Sequence, residues 1–316
     1  MRALITGVGG FAGSHLADYL LSQIDWQVSG CVLPGWDCSH LDRRVTCIEL
    51  DLRDRLAVRS TLERIAPDMI FHLAAQAFVP VSWDDPWDTL ENNIRSQANL
   101  LDGLVKLGAR PRLLVVGSNE EYGLVRPEDL PLNENSPLRT NNPYAVSKVT
   151  QDWLGLAYFL SHQIPVVRVR PFNHIGPRQS ENFVVPAFAR QIAMIEAGKQ
   201  EPVVRVGNLS ARRDFTDVRD TVRGYYLALT KGEPGEVYNI GSGRSRAIQE
   251  ILDILVSYSR VSLHVEQDPT RMRPSDTPEI RCDPTKFHKT TGWQPHISLE
   301  QSLRDVLDDW RARMTT

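Results

Sequence analysis

The chain has 316 residues, 41% hydrophobic and 24% charged, with a formal net charge of -3. That length suits a large core and two lobes, and the composition is that of an ordinary globular protein. The basic residues are dispersed: short clusters such as Arg212-Arg213 and Arg271/Arg273 are too small for a nucleic-acid-binding stripe, though they could hold one small anion, and no apolar run approaches the ~20 residues of a membrane span.

Ala3-Leu4-Ile5 predicts the first strand. It begins so early that no leader is expected, which points to a cytoplasmic protein. Thr6-Gly7-Val8-Gly9-Gly10-Phe11-Ala12-Gly13 follows directly and opens a helix over Ser14–Ser22. Glycines at a strand-to-helix turn let the backbone approach a pyrophosphate, whose charge is met by N–H groups at the helix N-terminus. A structural turn would show the same spacing; the flanking strand and helix decide for a dinucleotide. Val28 to Leu33 reads as the second strand, running into Pro34-Gly35 without the acidic tip residue that bonds an adenosine 2′-hydroxyl. This argues against strict NAD preference. Asp37 follows, and Arg43-Arg44 either face a 2′-phosphate or are ordinary surface charges. Cys31, Cys38, Cys47 and Cys282 lack C-x-x-C spacing, so no metal site and no disulfide framework are expected.

Asp51-Leu52, closing an apolar run, is placed to touch the adenine. A helix over Leu56–Ile65 and a strand at Met69-Ile70-Phe71 lead to His72-Leu73-Ala74-Ala75, which should pass beneath the cofactor. Thr89–Leu107 is helical in period, Leu113-Leu114-Val115-Val116 is a strand, and the loop Gly117-Ser118-Asn119-Glu120-Glu121-Tyr122-Gly123 follows it. Pro143–His162 then reads as a helix and Val166–Val169 as a strand. This alternation predicts an α/β, Rossmann-type doubly wound parallel sheet with Gly7, Ala74, Ser118 and Pro171 on one rim. Beyond Pro171 the pattern loosens into a helix at Phe188–Ala197, a strand at Val203–Val206, and helices near Asp217–Leu229, Ile248–Tyr258 and Leu299–Arg313. The expected division is a nucleotide-binding unit of residues 1–170 with roughly 207–245, and a smaller substrate lobe of 171–206 with 246–316.

In Pro143-Tyr144-Ala145-Val146-Ser147-Lys148 the tyrosine and lysine stand four residues apart, on one face of the predicted helix. The ammonium is expected to lower the phenol's pKa from ~10, so that the hydroxyl can exchange a proton near neutral pH. The spacing alone also suits a plain surface helix; the glycine loop and Ser118 decide for a carbonyl/alcohol interconversion.

With the Gly7/Gly10/Gly13 loop, His72-Leu73-Ala74-Ala75, Ser118 and Tyr144/Lys148 in this order, the chain resembles the extended short-chain dehydrogenase/reductase family over nearly its whole length. Arg170-Pro171-Phe172-Asn173, Arg213-Asp214-Phe215 and Arg273-Pro274-Ser275-Asp276 look like its nucleotide-sugar branch. The stretches from Arg170 to Pro177, Glu181-Asn182-Phe183-Val184 and Val206-Gly207-Asn208-Leu209 look like enzymes acting on GDP-mannose derivatives. The resemblance implies NADPH or NADH as cofactor, a GDP-sugar substrate and a homodimer formed by packing the long helices, while the dispersed charge and short apolar runs leave no nucleic-acid or membrane partner expected. It places Gly7, Gly10, Phe11, Ala12, Gly13, Asp51, Leu52, Leu73, Ala74, Ala75, Asn93, Tyr144 and Lys148 on the cofactor. On the sugar nucleotide it places Ser118, Asn119, Asn173, Asn182, Val184, Lys199, Asn208, Arg213 and Arg273. For the arginines a surface ion pair competes with this role, for the asparagines burial against backbone, and for Lys199 a solvated surface charge.

The implied reaction is reduction of the C4 ketone of GDP-4-keto-6-deoxy-D-mannose to GDP-D-rhamnose, with Ser118, Tyr144 and Lys148 catalytic. Two alternatives stand: 4,6-dehydration of GDP-mannose on tightly bound NADP, and C4 epimerisation of a nucleotide sugar. Glu120 stands where dehydratases keep a carboxylate able to act as the C5 base, and a polar rim residue is the other reading of it. Asn119 cannot serve as an acid.

Overall fold

The computed structural model describes residues 1–23, 26–271 and 277–315. In the first half β1 (Arg2–Thr6), α1 (Phe11–Ser22), β2 (Gln27–Val32), β3 (Thr46–Glu49), α2 (Arg55–Ile65), β4 (Met69–His72), α3 (Val79–Asp84), α4 (Pro86–Leu107), β5 (Arg112–Val116), α5 (Pro143–His162) and β6 (Val166–Pro171) alternate as strand and helix. Leu4, Ile70 and Leu113 enter one face of the sheet, and their chain neighbours Ile5, Phe71 and Leu114 enter the other. A sheet buried on both faces reads as short unbroken apolar runs, which is why these strands were legible.

One face is covered by α1 and by α7 (Val218–Lys231, placed in chain order below), through Leu16, Leu20, Val222, Tyr225 and Leu229. The other is covered by α2 and α4, through Val58, Leu62, Leu100, Leu101 and Leu104, with α5 packed alongside. Burying each such side chain contributes about 1.5–3 kcal/mol.

The second half runs β7 (Asn173–Ile175), α6 (Val184–Glu196), β8 (Val203–Val206), β9 (Arg212–Asp217), α7, β10 (Val237–Ile240), β11 (Ser245–Ala247), α8 (Ile248–Ser257), β12 (His264–Gln267), α9 (Thr285–Thr291) and α10 (Leu299–Thr315). The large sheet has seven parallel strands in the order β10-β6-β5-β4-β1-β2-β3, so strand order reverses between β1 and β4 and a crevice opens at their carboxyl ends. Thr6 closes that point from below: its hydroxyl pairs with His72 Nδ1 at 2.9 Å and accepts from the backbone N–H groups of Leu73 and Ala74, each at 3.2 Å.

Beside this sheet a three-stranded sheet, β11-β9-β7, and a β12-β8 pair form with α6, α8 and α10 a second core around Phe188, Ile192, Ile251, Leu255, Leu303 and Leu307. Strands β7, β9 and β10 were not legible in the sequence because polar residues interrupt them. Asn239 in β10 is buried, accepting from Tyr122 Oη at 2.7 Å and donating to the Leu132 carbonyl at 3.0 Å. Asp214 in β9 accepts backbone N–H bonds from Ser242, Gly243 and Cys282 at 2.9, 2.9 and 3.1 Å. Buried polar groups with distant partners erase the period-two signal.

Local signals fix helix starts. Asp54 caps α2 by accepting from Leu56 N and Ala57 N at 2.9 and 3.0 Å. Asn142 caps α5 by accepting from Ala145 N at 2.8 Å, and Pro143 occupies the first helical position. Tyr144 is thereby held in the first turn and Lys148 in the second. Among the described residues no helix is long and apolar enough to cross a membrane, and no group of His, Cys, Asp and Glu is arranged to hold a metal ion.

Candidate active site

A cavity of about 1290 Å³ runs across the carboxyl ends of β1, β4, β5 and β6 and on to β8 and β9. That exceeds the roughly 300–1,000 Å³ of a pocket for one small ligand. Gly7, Gly10, Phe11, Ala12, Gly13, Asp51, Leu52, Leu73, Ala74 and Ala75 line one end. Gly7 has φ +72°, and a Cβ on it would stand 2.9 Å from Ala74 Cα; a Cβ on Gly13 would stand 2.1 Å from the Gly7 carbonyl oxygen. The turn is a cradle that side chains would fill. The first turn of α1 has no side-chain cap, so its N–H groups face the cavity end without a protein acceptor from a cap residue. Both observations fit a dinucleotide pyrophosphate. Asp51 is gripped by Arg53, which donates from Nε at 3.0 Å and Nη2 at 2.8 Å and holds the carboxyl below its usual range. Arg44 lies away from the cavity, paired with Asp42 at 2.7 Å. Asn93 does not line the cavity: its amide accepts from Gln76 N at 2.8 Å and donates to Ser147 Oγ at 2.9 Å, tying the loop after β4 to α5.

At mid-cavity Ser118, Asn119 and Glu120 follow β5, and Tyr144 and Lys148 face them from α5. Lys148 Nζ donates to the Val116 carbonyl at 2.9 Å and lies 5.9 Å from the centre of the Tyr144 ring. Burial pushes the Tyr144 phenol up; hydrogen bonding from Ser118 opposes this, and the Glu120 and Glu121 carboxylates add to it. Burial likewise pushes the Lys148 amine down to about 8, against the pull of Glu121. The expectation that Lys148 lowers the phenol's pKa is therefore corrected: burial dominates, and the contact that favours ionisation comes from Ser118 rather than from Lys148. Such a phenol keeps its proton at neutral pH and can donate it to an oxyanion. Glu120 lines the cavity and accepts from Asn142 Nδ2 at 3.2 Å.

Beyond mid-cavity stand Asn173, Asn182, Val184, Asn208 and Arg213, joined by Arg205 and Arg271. Arg213 donates to the Arg212 and Thr277 carbonyls at 2.9 and 2.7 Å. Asn208 accepts from Ser210 N at 2.9 Å. The Asn119 Nδ2 and Asn173 Oδ1 atoms are buried without a hydrogen-bond partner, as polar atoms kept for a ligand would be. Lys199 lies outside the cavity, exposed, with Nζ on the Met314 carbonyl at 2.9 Å. Arg273 falls outside the described residues. Arg205, His174 and Phe183 were missed as cavity residues; His174 stacks on Phe11 at 5.7 Å with rings 6° apart, a contact 163 residues apart in sequence that no local signal announces.

A glycine-lined β1–α1 turn behind a Ser/Tyr/Lys set on a doubly wound sheet is the build of the extended short-chain dehydrogenases/reductases. Within that class a sequence model described as GDP-mannose 4,6 dehydratase matches residues 4–306, and the chain belongs to this family. It is 36% identical over 313 residues to the GDP-6-deoxy-D-mannose reductase of Pseudomonas aeruginosa, covering 99% of this chain and 98% of that one. To GDP-mannose 4,6 dehydratase 1 of Arabidopsis thaliana it is 28% identical over 326 residues, covering 97% and 89%. Among solved structures it superposes on RMD from Pseudomonas aeruginosa complexed with NADPH with a TM-score of 0.87 and 35% identity, covering 99% of each chain.

Proposed function

We propose that the protein catalyses NAD(P)H-dependent reduction of the C4 ketone of GDP-4-keto-6-deoxy-D-mannose to GDP-D-rhamnose. The observation that carries this reading is that Ser118, Tyr144 and Lys148 meet midway along one cavity, with the glycine cradle at one end and Arg213 at the other. Similarity to the Pseudomonas aeruginosa reductase supports the sugar, and the NADPH complex supports the cofactor.

The nicotinamide, when bound, supplies the hydride. Gly7, Gly10, Gly13 and the first turn of α1 would hold its pyrophosphate, and Asp51, Leu52 and Ala74 its adenosine side. Ser118 Oγ orients the C4 carbonyl, and Tyr144 Oη gives its proton to the C4 oxygen as negative charge develops there. Lys148 supplies a cation beside the phenol's binding face. Arg213, with Arg273, neutralises the diphosphate, because a guanidinium matches phosphate oxygens two at a time. Asn119, Asn173, Asn182 and Asn208 offer amides to the sugar and its nucleotide.

The two units belong to the same proposal: residues 1–170 with about 207–245 form the cofactor unit, supported by α7 covering and β10 joining the large sheet, and 171–206 with 246–316 hold the sugar nucleotide, joined there by β9, which pairs with β7 and β11 and brings Arg213 to that end. A cytoplasmic homodimer completes it, supported by Trp153 and Leu160 standing 55% and 63% exposed on α5.

Glu120 favours a second reading, 4,6-dehydration of GDP-mannose, because its carboxylate is on the cavity wall beside Asn119. One assay separates the two. Stoichiometric NAD(P)H oxidation with GDP-4-keto-6-deoxy-D-mannose, giving a product two mass units heavier, is expected; loss of water from GDP-mannose without net cofactor consumption would replace the reductase by the dehydratase.

A further inference from the structure

Ser118 faces Tyr144 only while the turn after β5 keeps its shape, and a buried carboxylate holds that turn from beneath. Glu121 is 0% exposed. Its Oε1 accepts from Ser118 N at 2.9 Å and its Oε2 from Arg170 Nε at 2.9 Å. Arg170 also donates to Asp152 Oδ2, from Nε at 3.0 Å and Nη2 at 2.5 Å, and Arg168 pairs with the other Asp152 oxygen. Asp152 stands four residues after Lys148 and eight after Tyr144, on the same face of α5. Gly117 has no side chain where one would fall 2.1 Å from Glu121 Oε1. An apolar residue at this position would fill the core without the desolvation of a carboxyl, so a polar one that reaches both the turn and α5 serves geometry better than stability.

We propose that Glu121 is a positioning residue: through Arg170 and Asp152 it locks the Ser118 turn to the face of α5 that carries Tyr144 and Lys148, and so sets the serine hydroxyl against the phenol. The inference rests on the reductase reading. The charged and titratable groups around Glu121 are Asp152, Lys148 and Tyr144 on α5, Arg168 and Arg170 on β6, and Glu120 and Tyr122 on its own turn, with Glu134 bonded to Arg170 through its carbonyl. Burial and then Asp152 push the Glu121 carboxyl up. Its ionised form in turn raises both Lys148 and Tyr144, so removing the charge lowers both.

The test compares wild type with Glu121→Leu and Glu121→Gln, using NADPH and GDP-4-keto-6-deoxy-D-mannose. In the Leu variant kcat is expected to fall at least about tenfold while KM and the NADPH Kd stay within about twofold, because small misplacements of a reacting group cost rate more than binding. The Gln variant keeps an acceptor for Ser118 N but turns an N–H toward Arg170 Nε, so its kcat should lie between those of wild type and Leu, and the alkaline limb of its pH profile should move to lower pH. A Leu variant within twofold of wild-type kcat, or a Gln variant as slow as Leu, would overturn the proposal. If the Leu variant fails to bind NADPH, the Gln profile decides alone, and an unmoved limb counts against it. Failure of wild type to oxidise NADPH with the keto sugar sinks the reductase reading instead. Crystal structures of wild type and the Leu variant then decide for Glu121: a Ser118 turn displaced from Tyr144 in Leu supports it, and an unmoved turn overturns it.

Discussion

The two ends of the cavity present polar groups of different kinds. At the glycine end the main chain does the work, and its tolerance is set by space: one methyl on Gly13 would lie 2.1 Å from the Gly7 carbonyl oxygen. At the far end the groups are half-buried side chains such as Arg205 and Arg213, each already bonded to protein oxygens. Backbone recognition is rigid and suits a ligand that never changes, whereas side-chain recognition can be retuned one residue at a time. Ser118, Tyr144 and Lys148 lie where the two regimes meet.

Removing the junction should have the largest effect. Tyr144→Phe is expected to lower kcat by about 10²–10⁴-fold, the ordinary contribution of a positioned proton donor, while NADPH still binds; rapid-mixing kinetics with full retained activity would exclude Tyr144 as the donor. Next, Gly13→Ala should weaken NADPH binding about 5- to 150-fold, corresponding to roughly 1–3 kcal/mol of overpacking, as read by fluorescence titration. Unchanged affinity would mean that α1 can move off β1 and the glycine end is softer than its geometry. Arg213→Ala should raise the KM for the sugar nucleotide by about 10- to 100-fold, from the loss of about 1.5–3 kcal/mol in charge-assisted bonding, with kcat changed much less. A kcat effect larger than the KM effect would place Arg213 at the reacting centre instead. Far from both ends, Asp54→Ala should cost about 1 kcal/mol and lower Tm by roughly 2 °C without touching kinetics.

The same division explains what the sequence disclosed. The glycine turn and the Tyr144/Lys148 pair are local patterns, set by neighbours a few residues apart, and β1, β2, β4, β5 and β6 show as apolar runs buried on both sides. A polar rim position was the competing reading of Glu120 and would cover Glu121 beside it, yet the first lines the cavity and the second is wholly buried. Its partner Arg170 lies 49 residues further on, so nothing adjacent could separate the two. For Lys199 the resemblance offered a ligand role against a solvated surface charge, and its exposed ammonium lies outside the cavity on the Met314 carbonyl of α10, 115 residues away. The sign of the Tyr144 shift was misjudged because spacing reveals a neighbouring charge and conceals the depth of burial.

The close approach of Gly13 to the Gly7 carbonyl also constrains how this chain can vary in length. Because α1 starts against β1 with no slack, one residue inserted between them would turn the helix by about 100°. Leu16 and Leu20 would swing off the sheet, and the uncapped N–H groups would point elsewhere. Insertions and deletions are thus excluded from residues 7–13.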